Sequence, residues 1–64
     1  MKVNGTFESL EQCKTLYEYL TDRNFDLTKI AVEHNGHIVP KAEYQKVNLE
    51  NEDTLEIVRF VGGG

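Results

Sequence analysis

The sequence predicts an α+β fold in which one main helix packs on one face of a mixed sheet of about five strands. Three observations carry that prediction. Two Asn-Gly pairs, Asn4-Gly5 and Asn35-Gly36, lie between short runs of strand-forming residues, the strongest short-range signal for tight hairpins. A capping-box pattern, Thr15 with Glu18, stands at the head of a segment that sets Leu16 and Leu20 on one helical face. A final apolar run, Leu55 to Val61, leads directly into three glycines. The 64 residues make one domain, and 39% hydrophobic content supplies one small core. A chain this short buries only about 60% of the surface it exposes when unfolded, so modest stability is expected.

In chain order, Met1-Lys2-Val3 and Thr6-Phe7-Glu8 flank the first Asn-Gly pair. A two-residue loop sets Phe7 opposite Lys2; a three-residue loop with a bulge sets Phe7 opposite Val3 and Glu8 opposite Lys2, and this second register is preferred. The helix starts at Thr15, with Glu18, Thr21 and Asp22 turned largely away from the Leu16/Leu20 face and Asn24 suited to a left-handed C-terminal position. Ser9 with Gln12 offers a second, earlier start that would bring Cys13 onto the helix. Phe25 and Leu27 are expected to cover the open end of the core.

Ile30 to His34 and His37 to Val39 form the second hairpin, with Val32 facing Val39 on the core side and Ile38 paired with Glu33 on the other. Pro40 ends that strand, most easily at a sheet edge. Lys41 to Asn48 reads as a turn with Tyr44 and Val47 inward, and the polar Glu50 to Asp53 turn opens the last strand, where Leu55 and Ile57 alternate with Glu56 and Val58. The first and last strands, separated by the helix and second hairpin, can lie parallel in the sheet centre. That arrangement is a ubiquitin-like β-grasp, with residues 1–61 as the domain and residues 62–64 as a glycine tail.

The tail carries the chemistry. Gly62, Gly63 and Gly64 have no side chains, so they can thread a narrow channel. The α-carboxylate of Gly64 is the reactive group at the tip, and an unbranched α-carbon leaves it open to attack once activated. A frayed end or an appended linker is the plain alternative. Val58, Phe60 and Ile38 fall on the outward side of the sheet and, with Val61, form an expected docking patch. Eleven acidic against seven basic residues give a net charge of −4, without a Lys/Arg cluster, so nucleic acid is not an expected partner. Glu50, Glu52, Asp53 and Glu56 precede the tail in sequence, which favours a partner with a basic receiving surface.

No apolar run reaches membrane-spanning length and no signal-peptide pattern is present, so no membrane partner is expected. The single Cys13 fits a reducing, cytoplasmic setting and is read as a small hydrophobe. His34 and His37 face each other across the second turn, but two ligands fall short of a structural zinc site; they read as solvated turn residues and no metal is predicted. Tyr17, Tyr19 and Tyr44 read as amphipathic rim residues of the core. There is no Walker-type phosphate loop.

Along nearly its whole length the chain resembles the thiamine-biosynthesis sulfur carrier proteins, most specifically in Ala31 to Lys41 and in Asp53 to Gly64. The resemblance implies a protein co-substrate, not an enzyme, with no cofactor of its own. An adenylyltransferase similar to ubiquitin-activating enzymes, using ATP and Mg, would convert the Gly64 carboxylate to an acyl adenylate. Sulfur from a donating enzyme would then give a thiocarboxylate, delivered to thiazole synthase. Two alternatives remain: a carrier for another pathway, like the small subunit of molybdopterin synthase, and a ubiquitin-like protein modifier.

Overall fold

The computed structural model describes residues 1–10, 12 and 14–60. The first hairpin pairs β1 (Lys2–Val3) with β2 (Thr6–Phe7), and the helix α1 follows at Leu16–Asp22. A 3-10 turn at Leu27–Lys29 leads into β3 (Ile30–His34) and β4 (His37–Ile38); a second, Lys41–Glu43, opens the connection to β5 (Thr54–Arg59). The strands form one sheet in the order β2-β1-β5-β3-β4. β5 lies at the centre, parallel to β1 and antiparallel to β3, as expected.

The first hairpin takes the two-residue register, Lys2 opposite Phe7 and Val3 opposite Thr6, and not the bulged one expected. Asn4 and Gly5 both hold positive φ, 50° and 85°. Such a turn already matches the twist of the flanking strands, so no bulge is needed. The pairing continues through Met1 and Glu8, which exchange backbone bonds of 2.7 and 2.9 Å. Register decides parity, so Phe7 lies on the outward face beside Lys2, whose amine sits 5.3 Å from the ring centre.

The capping box is complete: the Thr15 hydroxyl accepts from the Glu18 amide at 3.1 Å, and the Glu18 carboxylate accepts from the Thr15 amide at 3.0 Å. The Leu16 and Tyr17 amides, orphaned by the helix start, donate to the Val47 and Tyr44 carbonyls at 2.8 and 2.9 Å. At the other end Asn24 takes φ 60°, with its amide on Thr21 O and the Phe25 amide on Leu20 O, the two bonds of a Schellman stop.

Leu16, Tyr19 and Leu20 cover the inward residues Val3, Leu55, Ile57, Ile30, Val32 and Val39. Met1, Tyr44 and Leu49 complete this core, with Leu10, Phe25, Leu27 and Val47 packed at its margin. Tyr19 and Tyr44 are therefore core residues, while Tyr17 is exposed. The second hairpin follows its expected register, with the Val39 amide on Val32 O at 2.9 Å and β4 at the sheet edge before Pro40. Among the described residues no helix is long and apolar enough to cross a membrane.

Candidate functional site at the root of the C-terminal tail

Val61, Gly62, Gly63 and Gly64 lie outside the described residues, and so does Cys13. The structure defines the platform from which the tail leaves. β3 pairs along its whole length with Leu55 to Arg59 of β5, and β1 pairs with Thr54 and Leu55 at its start. Where β1 ends, Asn4 takes over: its side-chain oxygen accepts from the Ile57 amide at 2.7 Å and its amide donates to Ile57 O at 3.2 Å. The turn thereby extends the parallel ladder by one residue, using a side chain as backbone. One step past the strand, the Phe60 amide donates to Lys29 O at 2.8 Å. The chain is fixed up to the residue before the undescribed segment.

Three expected patch residues are exposed: Ile38 at 75%, Val58 at 55% and Phe60 at 54%. Phe7, 80% exposed, adds an aromatic group on the outward face that the bulged register had turned toward the core. Between Ile38 and Val58 lie Glu33 and Glu56, directly opposite each other on β3 and β5. Like charges facing across a pair of strands weaken a sheet, so this pair is not explained by stability.

The acidic residues taken as neighbours of the tail are mostly not so. A strand rises roughly 3.3 Å per residue, which places the Glu50 to Asp53 turn about 20 Å from Arg59, at the opposite end of β5. Glu56 alone of the four lies along the strand. Asp53 is 7% exposed and works as a structural clamp. Its carboxylate accepts from the Glu50 amide at 2.8 Å and the Asn35 side chain at 3.1 Å, and shares a 2.9 Å bond with His34 Nε2. Asn35 completes the cluster by accepting from the Thr54 amide at 2.9 Å. Burial pushes the Asp53 carboxyl up, but the bonds from His34, the Glu50 amide and Asn35 outweigh it and hold the group below the usual carboxylate range. His34 is thus a bonded hairpin residue and not a solvated one, whereas His37 is exposed.

A second polar cluster ties the first hairpin to the helix. Glu8 accepts from Tyr19 Oη at 2.8 Å and pairs with Arg23, whose guanidinium lies 4.7 Å from the Tyr19 ring centre. Burial, reinforced by the Glu8 bond, pushes the Tyr19 phenol up to about 12. The Arg23 bonds hold Glu8 below the carboxylate range. Among the described residues no buried side-chain polar atom lacks a partner, and no three His, Cys, Asp or Glu side chains gather as metal ligands would. The described residues thus build a hydrogen-bonded mount whose outward face carries exposed apolar side chains interrupted by Glu33 and Glu56.

Comparison with known proteins adds the family context. The model of the ThiS family matches residues 1–64. The chain is 38% identical over 50 residues to the sulfur carrier protein ThiS of Bacillus subtilis, covering 78% of this chain and 76% of that one. It is 40% identical over 62 residues to the thiazole synthase of Paramagnetospirillum magneticum, covering 97% of this chain and 19% of that protein. The chain spans about a fifth of the length of this thiazole synthase and of another from Magnetococcus marinus. The crystal structure of the thiamine biosynthesis protein ThiS from Geobacter metallireducens superposes with a TM-score of 0.84 at 23% identity, over 98% of this chain and 96% of that one. That likeness is one of fold, and the fold is the ubiquitin-like β-grasp.

Proposed function

Because the chain belongs to the ThiS family, we propose that it is a sulfur carrier of thiamine biosynthesis whose working group is the C-terminal carboxylate of Gly64. The observation that carries this reading is the mounting of the tail. A strand held at the sheet centre, pinned by Asn4 and by the Phe60 to Lys29 bond, runs toward three glycines beside an exposed apolar face.

A free carboxylate is a poor electrophile. In the proposed cycle a partner adenylyltransferase, with ATP and Mg, transfers AMP to the Gly64 carboxylate and releases pyrophosphate. Sulfide released by a donating enzyme, already at the oxidation level of the product, then attacks the acyl carbon. The C–S bond forms as the C–O bond to AMP breaks, AMP leaves with that electron pair, and loss of the S–H proton leaves a thiocarboxylate. Dividing the displacement in two lowers each barrier. The soft sulfur is then delivered to thiazole synthase as a nucleophile toward a carbonyl-derived carbon. This chain supplies reach and orientation, and the catalytic groups belong to its partners.

The docking patch in this reading is Val58, Phe60 and Ile38, with Val61 next in sequence; Phe7 shares the outward face but lies level with Thr54, at the other end of β5. A thiazole synthase as acceptor is supported by the two thiazole synthases that contain a segment similar to nearly the whole chain. Joining a carrier to its acceptor raises the effective concentration of the tail.

The deciding experiment is an intact-mass measurement on protein taken from its own cell. The expected result is a species heavier by the exchange of one oxygen for one sulfur, with fragmentation placing the change at Gly64. Conjugates to target lysines in place of that species would replace the carrier reading with that of a protein modifier.

A further inference from the structure

The root of the tail is basic in a chain whose net charge is −4. Ile30 pairs with Arg59 across the sheet, and with Lys29, Phe60, Asn24 and Asp26 they line an open groove of about 210 Å³. Its apolar wall is Ile30 and Phe60. Arg59 lies 5.0 Å from the centre of the Phe25 ring, and a stacked guanidinium keeps its in-plane donors available. Among the described residues neither Arg59 nor Lys29 has a carboxylate within ion-pair distance. Asp26, the acidic residue of the lining, accepts from the Thr28 amide at 3.0 Å and the Thr28 hydroxyl at 2.6 Å, and it feels the charge of Lys29 without forming an ion pair, so the groove keeps a net positive charge. Elsewhere Lys14 pairs with Asp22, Arg23 pairs with Glu8, and Lys2 lies over Phe7. Lys41 and Lys46 also have no carboxylate within ion-pair distance among the described residues, so what sets Lys29 and Arg59 apart is that they line one groove at the root of the tail.

We propose that this groove receives an acidic loop of the adenylyltransferase: a carboxylate seated between Arg59 and Lys29, next to an apolar side chain resting on Ile30 and Phe60. The inference rests on the reading that the tail enters that enzyme's active site. Val61 to Gly64 can span at most about 14 Å, so an enzyme that holds the Gly64 carboxylate in its nucleotide pocket must approach the end of β5, beside which the groove lies. Docking then takes water from two cations. Unpaired, that desolvation opposes binding; a carboxylate on the partner reverses the balance. The sequence order of Glu50 to Asp53 argued for a basic receiving surface, and the fold inverts that expectation at the point where the tail leaves.

The test uses the purified adenylyltransferase of the same cell and the full chain, with Lys29→Glu, Arg59→Glu and Arg59→Lys. Pyrophosphate exchange with the wild-type chain comes first: no exchange overturns the carrier reading and this inference together. With exchange established, each reversal to glutamate is expected to raise Kd at least about tenfold, mainly through slower association that is relieved by salt, while Arg59→Lys stays within about threefold. Lys29→Glu leaves the Phe25 stack untouched, so its thermal melt is expected to match wild type. Arg59→Glu should recover affinity when a carboxylate at the mouth of the enzyme's channel is changed to lysine. Unchanged Kd for both reversals, with wild-type exchange intact, overturns the groove assignment alone. Self-association abolished by Arg59→Glu, with enzyme affinity unchanged, would give the groove to a second copy of the chain and overturn it equally.

Discussion

At its start β5 is held by a buried carboxylate with three partners, and at its end it leaves the sheet beside exposed apolar groups and cations without carboxylate partners among the described residues. The difference separates two tasks that share one strand. The Asp53, His34 and Asn35 cluster spends its polar groups on one another, joining the second hairpin turn to the turn before β5. The Arg59 and Phe60 end, though Arg59 stacks on Phe25, leaves its cation without a carboxylate among the described residues and its phenyl ring half exposed, which suits contact with another molecule. Anchor and interface sit about 20 Å apart on the same strand, so either can be altered while the other is read as a control.

The sharpest break in that comparison is at the tail. One alanine added after Gly64 moves the carboxylate by up to about 3.6 Å, beyond the near-contact spacing that attack requires. Activation by the adenylyltransferase is expected to be abolished, and deletion of Gly64 should act alike, while thermal melts of both match wild type. Activation of both variants at the wild-type rate would make the tail a passive terminus.

Leu55→Ala removes a fully buried side chain at the sheet centre, close to the anchor. A loss of about 2–5 kcal/mol is expected in urea melts, from lost burial plus the cavity left behind. A smaller loss would mean that the site collapses around the gap.

Asp53→Asn probes the anchor itself. Leaving its donors imperfectly paired should cost about 1–3 kcal/mol at neutral pH. The pH dependence has a definite sign. A carboxyl whose folded pKa is depressed contributes stability that is present above its unfolded value of about 3.9 and lost as pH falls through the folded value. The wild-type chain should therefore lose stability more steeply than Asp53→Asn as pH drops below about 4. Parallel acid profiles would remove Asp53 as the source.

The smallest effect on folding belongs to the other end. Phe60→Asp should change stability by no more than about 0.5 kcal/mol, yet weaken enzyme binding when both are measured side by side. A large loss of stability would place Phe60 in the core and erase the contrast between the two ends.

Much of the fold is legible in the sequence because its signals are local. Asn-Gly pairs demand positive φ where they stand, and Thr15 with Glu18 closes a box within one turn. What escapes local reading depends on distant partners. Two loop lengths fit the Val3 to Phe7 segment, and the choice between them turns Phe7 from core to surface. Asp53 looks like a surface charge until His34 and Asn35 are brought beside it. Leu49 sits in a polar stretch, yet it is buried where its segment lies along the helix start, with its amide on Lys14 O. The candidate site was legible as an apolar patch, but its charge was not, because neighbours in sequence along an extended strand are not neighbours in space.

The parallel pairing of β1 with β5 joins Lys2 to Thr54, nearly the full length of the chain. During synthesis the first hairpin, the helix and the second hairpin emerge in turn, but the strand that lies between β1 and β3 comes last. Commitment to the native state must wait for it, and closing so long a loop is slow relative to local pairing. A product broken off before residue 54 leaves β1 and β3 without the neighbour they share. Such a fragment is exposed to proteolysis, so damage that removes β5 removes the fold with it and a truncated copy does not persist.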